Sequence, residues 1–261
     1  MTFQNTAAGA AIYGPLHLRY IYDPIVLGFY CPCAWQISST ELRHFFNRNI
    51  RNAAARSAAR DPYGQTVTGS GKAAEAGSSA SCRLLDIGVG TGYFLKHAPI
   101  PAGSEVYLAD LNPAALHVAG TRTLQAHPKT ACKTSLADFL DPYGRGLSCK
   151  DLDGGGMDAI SAMLLLHCVP GPPDRKAEAL VRLRYLLALD GTLFGATILG
   201  RDVKHNLMGK TLMFWHNLLG VFGNREDDVE SFIIPLKGAF ENVRWEVCGK
   251  MLLFEASRPK P

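Results

Sequence analysis

The sequence predicts an α/β fold in which a doubly wound, mostly parallel sheet is covered by helices. Short apolar runs that fit buried strands alternate with segments of helical periodicity between residues 83 and 199. The first two runs, at residues 83–87 and 106–109, are followed directly by a glycine and an aspartate. Near the end of the chain, two more apolar runs are separated only by Gly249-Lys250, which is the pattern of an antiparallel hairpin. Together these features predict a Rossmann-like sheet of seven strands.

The individual elements have their own local signals. The continuous apolar run at residues 159–166 is typical of a central parallel strand that is buried on both faces. Asn112-Pro113 and Asp174 predict helix starts, because Asn and Asp cap helices and proline fits the first helical position. Asp190-Gly191 predicts a turn before the fifth strand. The seven predicted strands cover residues 83–87, 106–109, 131–134, 159–166, 192–199, 243–248 and 251–256.

Regions of different composition flank and interrupt the sheet. Apolar residues recur at helical spacing over residues 40–51, with Thr40 as the predicted N-cap. The stretch after residue 52 consists mostly of small and polar residues that offer little to bury, and an extension of the preceding helix into its first part is left open. Pro235 is expected to kink or break a later helix. The predicted divisions are a helical N-terminal cap at residues 1–52, a flexible low-complexity insert at 53–81, and the main domain at 82–261, within which 201–242 form a substrate-cap insertion.

Composition and charge narrow the class of protein. The chain has 261 residues, of which 47% are apolar, and a formal net charge of +4, so an ordinary globular enzyme is predicted. The N-terminus lacks the features of a secretory signal, and no run reaches the length of a membrane span. Seven irregularly spaced cysteines favour a reducing, cytoplasmic location. No metal site is predicted, since Cys31 and Cys33 have no second ligand pair at zinc spacing.

Arginines are concentrated just before and inside the low-complexity stretch. Such a run can bind phosphates, but the same residues on a helix are also typical of a solvated surface. We favour the solvated helix face, and neither a nucleic acid nor a membrane is predicted as a partner. The arginines in question are Arg43, Arg48, Arg51, Arg56 and Arg60.

A glycine-rich loop follows the first strand and gives the sharpest functional signal. It contains Asp86 and then Gly88, Gly90 and Gly92, in the spacing G-x-G-x-G. Glycines allow a tight turn and the close approach of a ligand to the backbone. A loop that binds the diphosphate of a dinucleotide has the spacing G-x-G-x-x-G, so an NAD-dependent oxidoreductase is disfavoured. S-Adenosylmethionine presents an amino-acid zwitterion instead of a phosphate and suits the observed loop better.

Acidic residues after the next two strands extend this site. Asp110 lies 22 residues beyond Gly88, close to the spacing of a carboxylate that binds ribose hydroxyls. Asp138 follows the third strand, where a carboxylate can accept from an adenine amino group while the neighbouring Phe139 covers the base. The predicted site therefore also includes the residues beside these carboxylates, namely Leu111, Asn112 and Ala137.

The motifs together resemble the class I S-adenosylmethionine-dependent methyltransferases over roughly residues 82–256. The resemblance rests on LDIGVGTG, ADLNP, the AD after the third strand and LLHCVPG after the fourth. More narrowly, YDPIVLG, GATILG and NLLGVFGN are similar to small bacterial and fungal methyltransferases of mostly unassigned substrate. The resemblance implies that Asp86, Gly88, Gly90 and Gly92 surround the methionine part. It further implies that Asp110 holds the ribose, Asp138 the adenine, and that Met163 lines the site through its backbone.

The reaction itself is less clearly encoded. His167 after the fourth strand is either a proton acceptor or a packed residue, and His205 after the fifth is either a second proton acceptor or an exposed histidine at the start of a helix. Tyr22, in the family-like stretch YDPIVLG, either faces the sulfonium of the cofactor, because aromatic rings attract cations, or packs in the core. Leu164–His167 stand where methyltransferases of nucleobases carry a different signature, so base methylation is disfavoured.

An apolar region after the fifth strand favours methylation of a hydrophobic small molecule, such as a secondary metabolite. The main alternative is a protein of the same fold that binds the cofactor but catalyses a cyclisation or rearrangement. A non-catalytic sensor of the cofactor is a further alternative. The sequence predicts no oligomeric state. The residues that make this region apolar are Leu207, Met208, Phe214, Trp215, Phe222 and Phe232.

Overall fold

The computed structural model describes residues 23–60, 81–142, 146–154 and 156–261. They form a seven-stranded sheet with the order β3-β2-β1-β4-β5-β7-β6. β1 to β5 are parallel, and β7 runs antiparallel between β5 and β6, which confirms the predicted fold class. The strands are β1 Arg83–Ile87, β2 Glu105–Asp110, β3 Ala131–Leu136, β4 Met157–Met163, β5 Leu187–Ile198, β6 Phe240–Cys248 and β7 Met251–Pro259.

Helices cover both faces of this sheet. Before the first long helix, a π-helical turn at Asp23–Tyr30 and a short helix at Cys31–Cys33 form what we term the leading segment, residues 23–33. Single 3-10 turns lie at Cys149–Leu152, Leu166–Cys168 and Leu183–Leu186. The α-helices are α1 Ser39–Ala58, α2 Tyr93–Lys96, α3 Pro113–Ala126, α4 Pro173–Arg182, α5 Leu207–Leu218 and α6 Val229–Ala239.

The helix α1 begins one residue before its predicted start and extends into the first part of the stretch predicted as an insert. Its N-cap is Ser38 instead of Thr40, because Ser38 and Glu41 form a reciprocal capping box. At the other end the helix continues to Ala58, and Ala53 and Ala54 are buried, so this part of the predicted insert is ordered helix. Beyond it, Arg60 forms ion pairs with Asp158 and Asp190. The rest of the insert, at 61–80, lies outside the described residues.

Three predicted boundaries also differ from the structure. β4 ends at Met163, because Leu164 has a left-handed φ of 56° and turns the chain away. Asp190-Gly191 lies within β5 and is not a turn; a Cβ on Gly191 would come within 2.5 Å of the Met157 carbonyl, opposite the irregular register of β4. The N-cap of α4 is Pro172, and Asp174 lies in the first turn instead.

The region after β5 folds as two helices and a hairpin. Pro235 lies inside α6 and does not end it, although it removes one backbone donor. The hairpin of β6 and β7 closes at the Cys248 and Met251 pair around Gly249-Lys250, as predicted, and Gly249 has the positive φ of 59° that such a turn needs.

The core has two layers, one on each face of the sheet. On one face, Phe46 of α1 packs edge-on against Phe194 of β5 at 5.4 Å between ring centroids. On the other face, α4 and α6 bury Leu180 and Phe232 against strand residues such as Phe254. In the part of the chain that the structure describes, no helix combines the length and hydrophobicity needed to cross a bilayer.

Candidate cofactor and acceptor site

The glycine loop between β1 and α2 lies at the carboxyl edge of the sheet, where the strand order reverses. Gly88, Gly90 and Gly92 all have positive φ, of 70°, 51° and 70°. A Cβ on Gly92 would lie 2.8 Å from the Cα of Ala119, so this glycine allows α3 to pack against the loop. A Cβ on Gly90 would meet no atom of the described residues within 4 Å. The backbone at Gly90 is therefore the part of the loop that a ligand can approach.

Asp110 and Asp86 lie against this loop. The Asp110 carboxylate accepts hydrogen bonds from the backbone N–H groups of Asn112, at 2.8 Å, and of Gly90 and Val89. Asp86 is buried and accepts a hydrogen bond from the hydroxyl of Ser161. Burial raises the pKa of Asp86 to about 7; the Ser161 hydrogen bond opposes the rise, and the nearby charge of Asp110 adds to it. Burial raises the pKa of Asp110 as well. A cationic ligand group placed here would reverse both trends.

The end of β3 joins the same edge. The backbone N–H of Ala137 donates to the carbonyl of Asp110 at 3.1 Å, which holds the two strand ends together. One carboxylate oxygen of Asp138 accepts from the N–H of Leu140 at 2.9 Å. Phe139 borders a cavity of about 210 Å³ on the side of α4, and Leu111 is 44% exposed. The structure thus brings the predicted adenine and ribose residues next to each other, with Asn112 capping α3.

The end of β4 meets the glycine loop from the other side. Met163 is buried and is the last residue of the strand. Leu164 then takes the left-handed conformation and donates to the carbonyl of Ala196 at 2.8 Å. Next, the side chain of Leu165 lies so close to Gly88 that a Cβ there would be 2.5 Å from it. A non-glycine residue held at positive φ is a strained feature that clusters at functional sites.

The leading segment is tied to the loop by a cluster that the sequence analysis did not single out. Asp23 accepts hydrogen bonds from the Thr91 hydroxyl at 2.6 Å and from the Arg122 guanidinium at 2.8 Å. Arg122, on α3, also donates to the carbonyl of Thr91 at 2.9 Å. The motif YDPIVLG was the available signal for this contact, although its partners lie far along the chain. Tyr22 itself lies outside the described residues.

Aromatic rings from several segments meet beside the ends of β4 and β5. Phe222 is central: its ring lies 4.8 Å from that of His167, 4.7 Å from that of His216 and 6.1 Å from that of Trp35. The ring of His205 packs edge-on against Trp35 at 5.9 Å. We call these five residues the aromatic cluster. It joins the N-terminal region to the predicted cap insertion, whereas Phe232, also predicted to line this region, is fully buried in the core.

The three histidines of the cluster differ in what they can do. His167 is fully buried, and burial, together with the charges of Lys176 and His216, lowers its pKa to about 3. The Nε2–H of His205 donates to the Leu199 carbonyl at 2.9 Å, and burial lowers its pKa. Its Nδ1 therefore carries the lone pair, and this buried atom has no partner among the described residues. His216 has the opposite tautomer, since its Nδ1 lies 2.8 Å from the carbonyl of Leu212.

A buried ion pair supports the cluster from behind. The side chains of Lys176 and Asp227 are both 0% exposed, and the Lys176 Nζ donates to both carboxylate oxygens at 2.8 and 2.9 Å. It also donates to the Gly223 carbonyl at 2.8 Å, next to Phe222. Burial lowers the pKa of Lys176 and raises that of Asp227 to about 6, and in each case the opposite charge of the partner counteracts the shift.

This sheet order, with the glycine loop after β1 and the carboxylate at the end of β2, defines the class I S-adenosylmethionine-dependent methyltransferases, and the protein is an enzyme of that class. Comparison with known families agrees. Residues 39–224 match the family described as a methyltransferase domain, and the chain belongs to it. Its cofactor is S-adenosylmethionine.

Individual relatives extend this result. The chain is 35% identical to the physcion biosynthesis cluster O-methyltransferase of Aspergillus chevalieri over 98% of its own length and 97% of the relative. It is 40% identical to the uncharacterized protein YbcY of Escherichia coli K12, over 67% of the chain and 85% of that protein. The solved structure of a possible exported protein from Bordetella parapertussis has the same fold, with a TM-score of 0.54 at 16% identity over 84% of this chain and 68% of that one.

Proposed function

We propose that the protein transfers the methyl group of S-adenosylmethionine to a hydroxyl oxygen of a hydrophobic small molecule of secondary metabolism. The observation that carries this proposal is the match, over nearly the full length of both chains, to an O-methyltransferase of a physcion biosynthesis cluster. The aromatic cluster and the exposed apolar residues of α5, among them Leu207, Phe214 and Trp215, favour a hydrophobic acceptor. The predicted alternative, a cyclisation or rearrangement without methyl transfer, has no support in the comparisons.

The residues at the glycine loop fit the cofactor. The open space at Gly90 allows close approach to the backbone, and the two buried carboxyl groups suit its cationic and hydroxyl groups. Asp86, Gly88 and Gly90 would hold the methionine part, and Asp110 the ribose. Asp138, beside Ala137, would hold the adenine. When bound, the cofactor supplies a methyl group that is already activated by its positive sulfur.

A hydroxyl acceptor must lose its proton as the oxygen–methyl bond forms and the sulfur–methyl bond breaks. We assign the proton to Nδ1 of His205, because its Nε2–H is already used by the Leu199 carbonyl and Nδ1 is the unpartnered ring nitrogen. His167 is less suited, since its low pKa makes the imidazole a weak proton acceptor. His167 instead helps to fix Phe222 through ring packing.

The test is a product assay with the purified protein, S-adenosylmethionine and a panel of polycyclic aromatic acceptors. Each hydroxylated acceptor is paired with an analogue in which the hydroxyl is already methylated. With the hydroxylated acceptor we expect a methyl ether and S-adenosylhomocysteine to form in equal amounts. With the methylated analogue we expect neither product. A rearranged acceptor without S-adenosylhomocysteine would establish the alternative, and methylation of a carbon or nitrogen would reject the oxygen as nucleophile.

A further inference from the structure

A polar cavity lies on the outer side of α1, away from the residues assigned to methyl transfer. Its volume is about 340 Å³, and it is lined by Arg43, His44, Asn47, Arg51 and His97. Arg43, Asn47 and Arg51 occupy successive turns of one helix face, and His97 follows α2. Among the residues that the structure describes, none with an acidic side chain lines this cavity.

The structure divides the arginines of this region into two groups. Arg48 pairs with Glu255 at 2.5 Å, Arg56 donates to the Thr192 hydroxyl at 2.9 Å, and Arg60 pairs with two aspartates. In contrast, Arg43 and Arg51 form no ion pair or hydrogen bond through their side chains among the described residues. These two arginines are the ones that face the cavity. A solvated helix face therefore does not describe all five arginines.

The positive charge around the cavity is not balanced locally. Burial, and then the charges of Arg43, Lys96 and Arg122, lower the pKa of His97, and the charge of Asp23 acts in the other direction. The Asp23 carboxylate is already paired with Arg122. An anion in the cavity would therefore meet a net positive field together with two unused guanidinium groups.

We propose that this cavity binds the phosphate group of a small molecule, through the guanidinium groups of Arg43 and Arg51 with His44 and His97 beside them. Arginine presents paired N–H donors that match phosphate oxygens, and two such groups suit a doubly charged anion better than a single carboxylate. The cavity is larger than one phosphate, so a phosphate ester fits as well as the free ion. This site is independent of the proposed methyl transfer, because it shares no residue with the glycine loop or the aromatic cluster.

The test is a titration of the full chain with inorganic phosphate and, in a second arm, with glycerol 3-phosphate, at constant ionic strength. Binding is followed by calorimetry and by the NMR signal of His97. We expect saturable binding and a rise in the pKa of His97, because a nearby anion favours the charged imidazole. Tighter binding of the ester than of the free ion would assign the site to phosphorylated metabolites, and the reverse to inorganic phosphate.

Substitutions then locate the site. Arg43→Gln and Arg51→Gln should each weaken phosphate binding about tenfold, as expected for the loss of a charge-assisted contact. Arg48→Gln is the matched control, since Arg48 lies on the same helix but pairs with Glu255; it should leave phosphate binding unchanged. If a glutamine variant fails to fold, Arg43→Lys and Arg51→Lys replace it. These variants keep the charge but lose the paired N–H donors of the guanidinium, so they should bind phosphate more weakly than the wild type.

Three results would overturn the proposal. The first is that sodium chloride at equal ionic strength raises the pKa of His97 as much as phosphate does. The second is that Arg48→Gln weakens phosphate binding as much as the cavity variants do. Alternatively, a single-stranded oligonucleotide could bind better than either phosphate probe and require Arg48 too, which would assign the arginines to a nucleic-acid surface. Cofactor binding by the variants should be unchanged, which separates this test from the proposed function.

Discussion

The two halves of the carboxyl edge of the sheet are built in different ways. At the ends of β1 and β2, the site is made largely of backbone: glycines at positive φ, and N–H groups of Val89 and Gly90 that donate to Asp110. At the ends of β4 and β5, side chains from separate segments meet on Phe222. Substitutions in the first half should therefore act through backbone conformation, and those in the second through packing and buried charge.

The largest effect is expected from the ion pair behind the aromatic cluster. Lys176→Met leaves the Asp227 carboxylate buried without its partner, so we expect the free energy of unfolding to fall by about 3–5 kcal/mol in urea denaturation. The double variant Lys176→Met with Asp227→Leu removes both charges and should recover much of that loss. A single variant as stable as the wild type would show that the second half does not depend on this pair.

The next largest effect concerns the proposed proton acceptor. His205→Gln should lower kcat about hundredfold, the range found for loss of a general base, with little change in cofactor affinity. His216→Gln is the matched comparison, because His216 packs on Phe222 but has the opposite tautomer. If the His216 variant loses kcat and the His205 variant keeps it, the proton acceptor is His216.

Two glycines of the loop should separate stability from ligand binding. Gly92→Ala places a Cβ against the backbone of Ala119 at positive φ and should cost about 2 kcal/mol of unfolding free energy. Gly90→Ala meets no neighbour and should cost only about 1 kcal/mol, the penalty of the left-handed conformation. In calorimetry, however, Gly90→Ala should weaken S-adenosylmethionine binding clearly. Equal losses of stability would contradict the distinct roles of the two glycines.

Asp110→Ala should weaken cofactor binding at least about tenfold, since a carboxylate bound to two hydroxyls is a charge-assisted contact. Calorimetric titration with S-adenosylhomocysteine provides the measurement without turnover. An unchanged dissociation constant would remove Asp110 from the site.

At neutral pH the smallest effect is that of His167, because its influence on stability appears only as the pH falls below 6.5. The pKa of His167 is about 3 in the folded protein, against 6.5 ordinarily. Between these two pH values the unfolded chain therefore binds a proton at this histidine and the folded chain does not. Its contribution to stability is complete above pH 6.5 and is lost as the pH falls toward 3, with a slope of up to about 1.4 kcal/mol per pH unit. His167→Leu should flatten this slope in urea denaturation series. Identical slopes would show that His167 titrates normally.

The sequence predicted the sheet well because each strand has a local signal. The hairpin is predicted by Gly249-Lys250. The cofactor loop is predicted by its glycines, because they adopt a positive φ that other residues rarely adopt. Boundaries were less accurate where tertiary contacts decide them. Gly191 looks like a turn residue but serves the close approach of β5 to β4, and α1 continues past residue 52 because its alanines pack against the core.

The seven-stranded fold class, the class of enzyme and the glycine loop were predicted from the sequence alone, because a loop built from backbone requires particular residues at fixed spacing. Only the tertiary structure decided that Nδ1 of His205 has no partner among the described residues, that Asp23 reaches Thr91 and Arg122, and that Lys176 pairs with Asp227. It also separated Arg43 and Arg51 from the paired arginines around them. The physical reason is the same in each case: these contacts join side chains distant in the chain, and no local pattern fixes which charges or rings will meet.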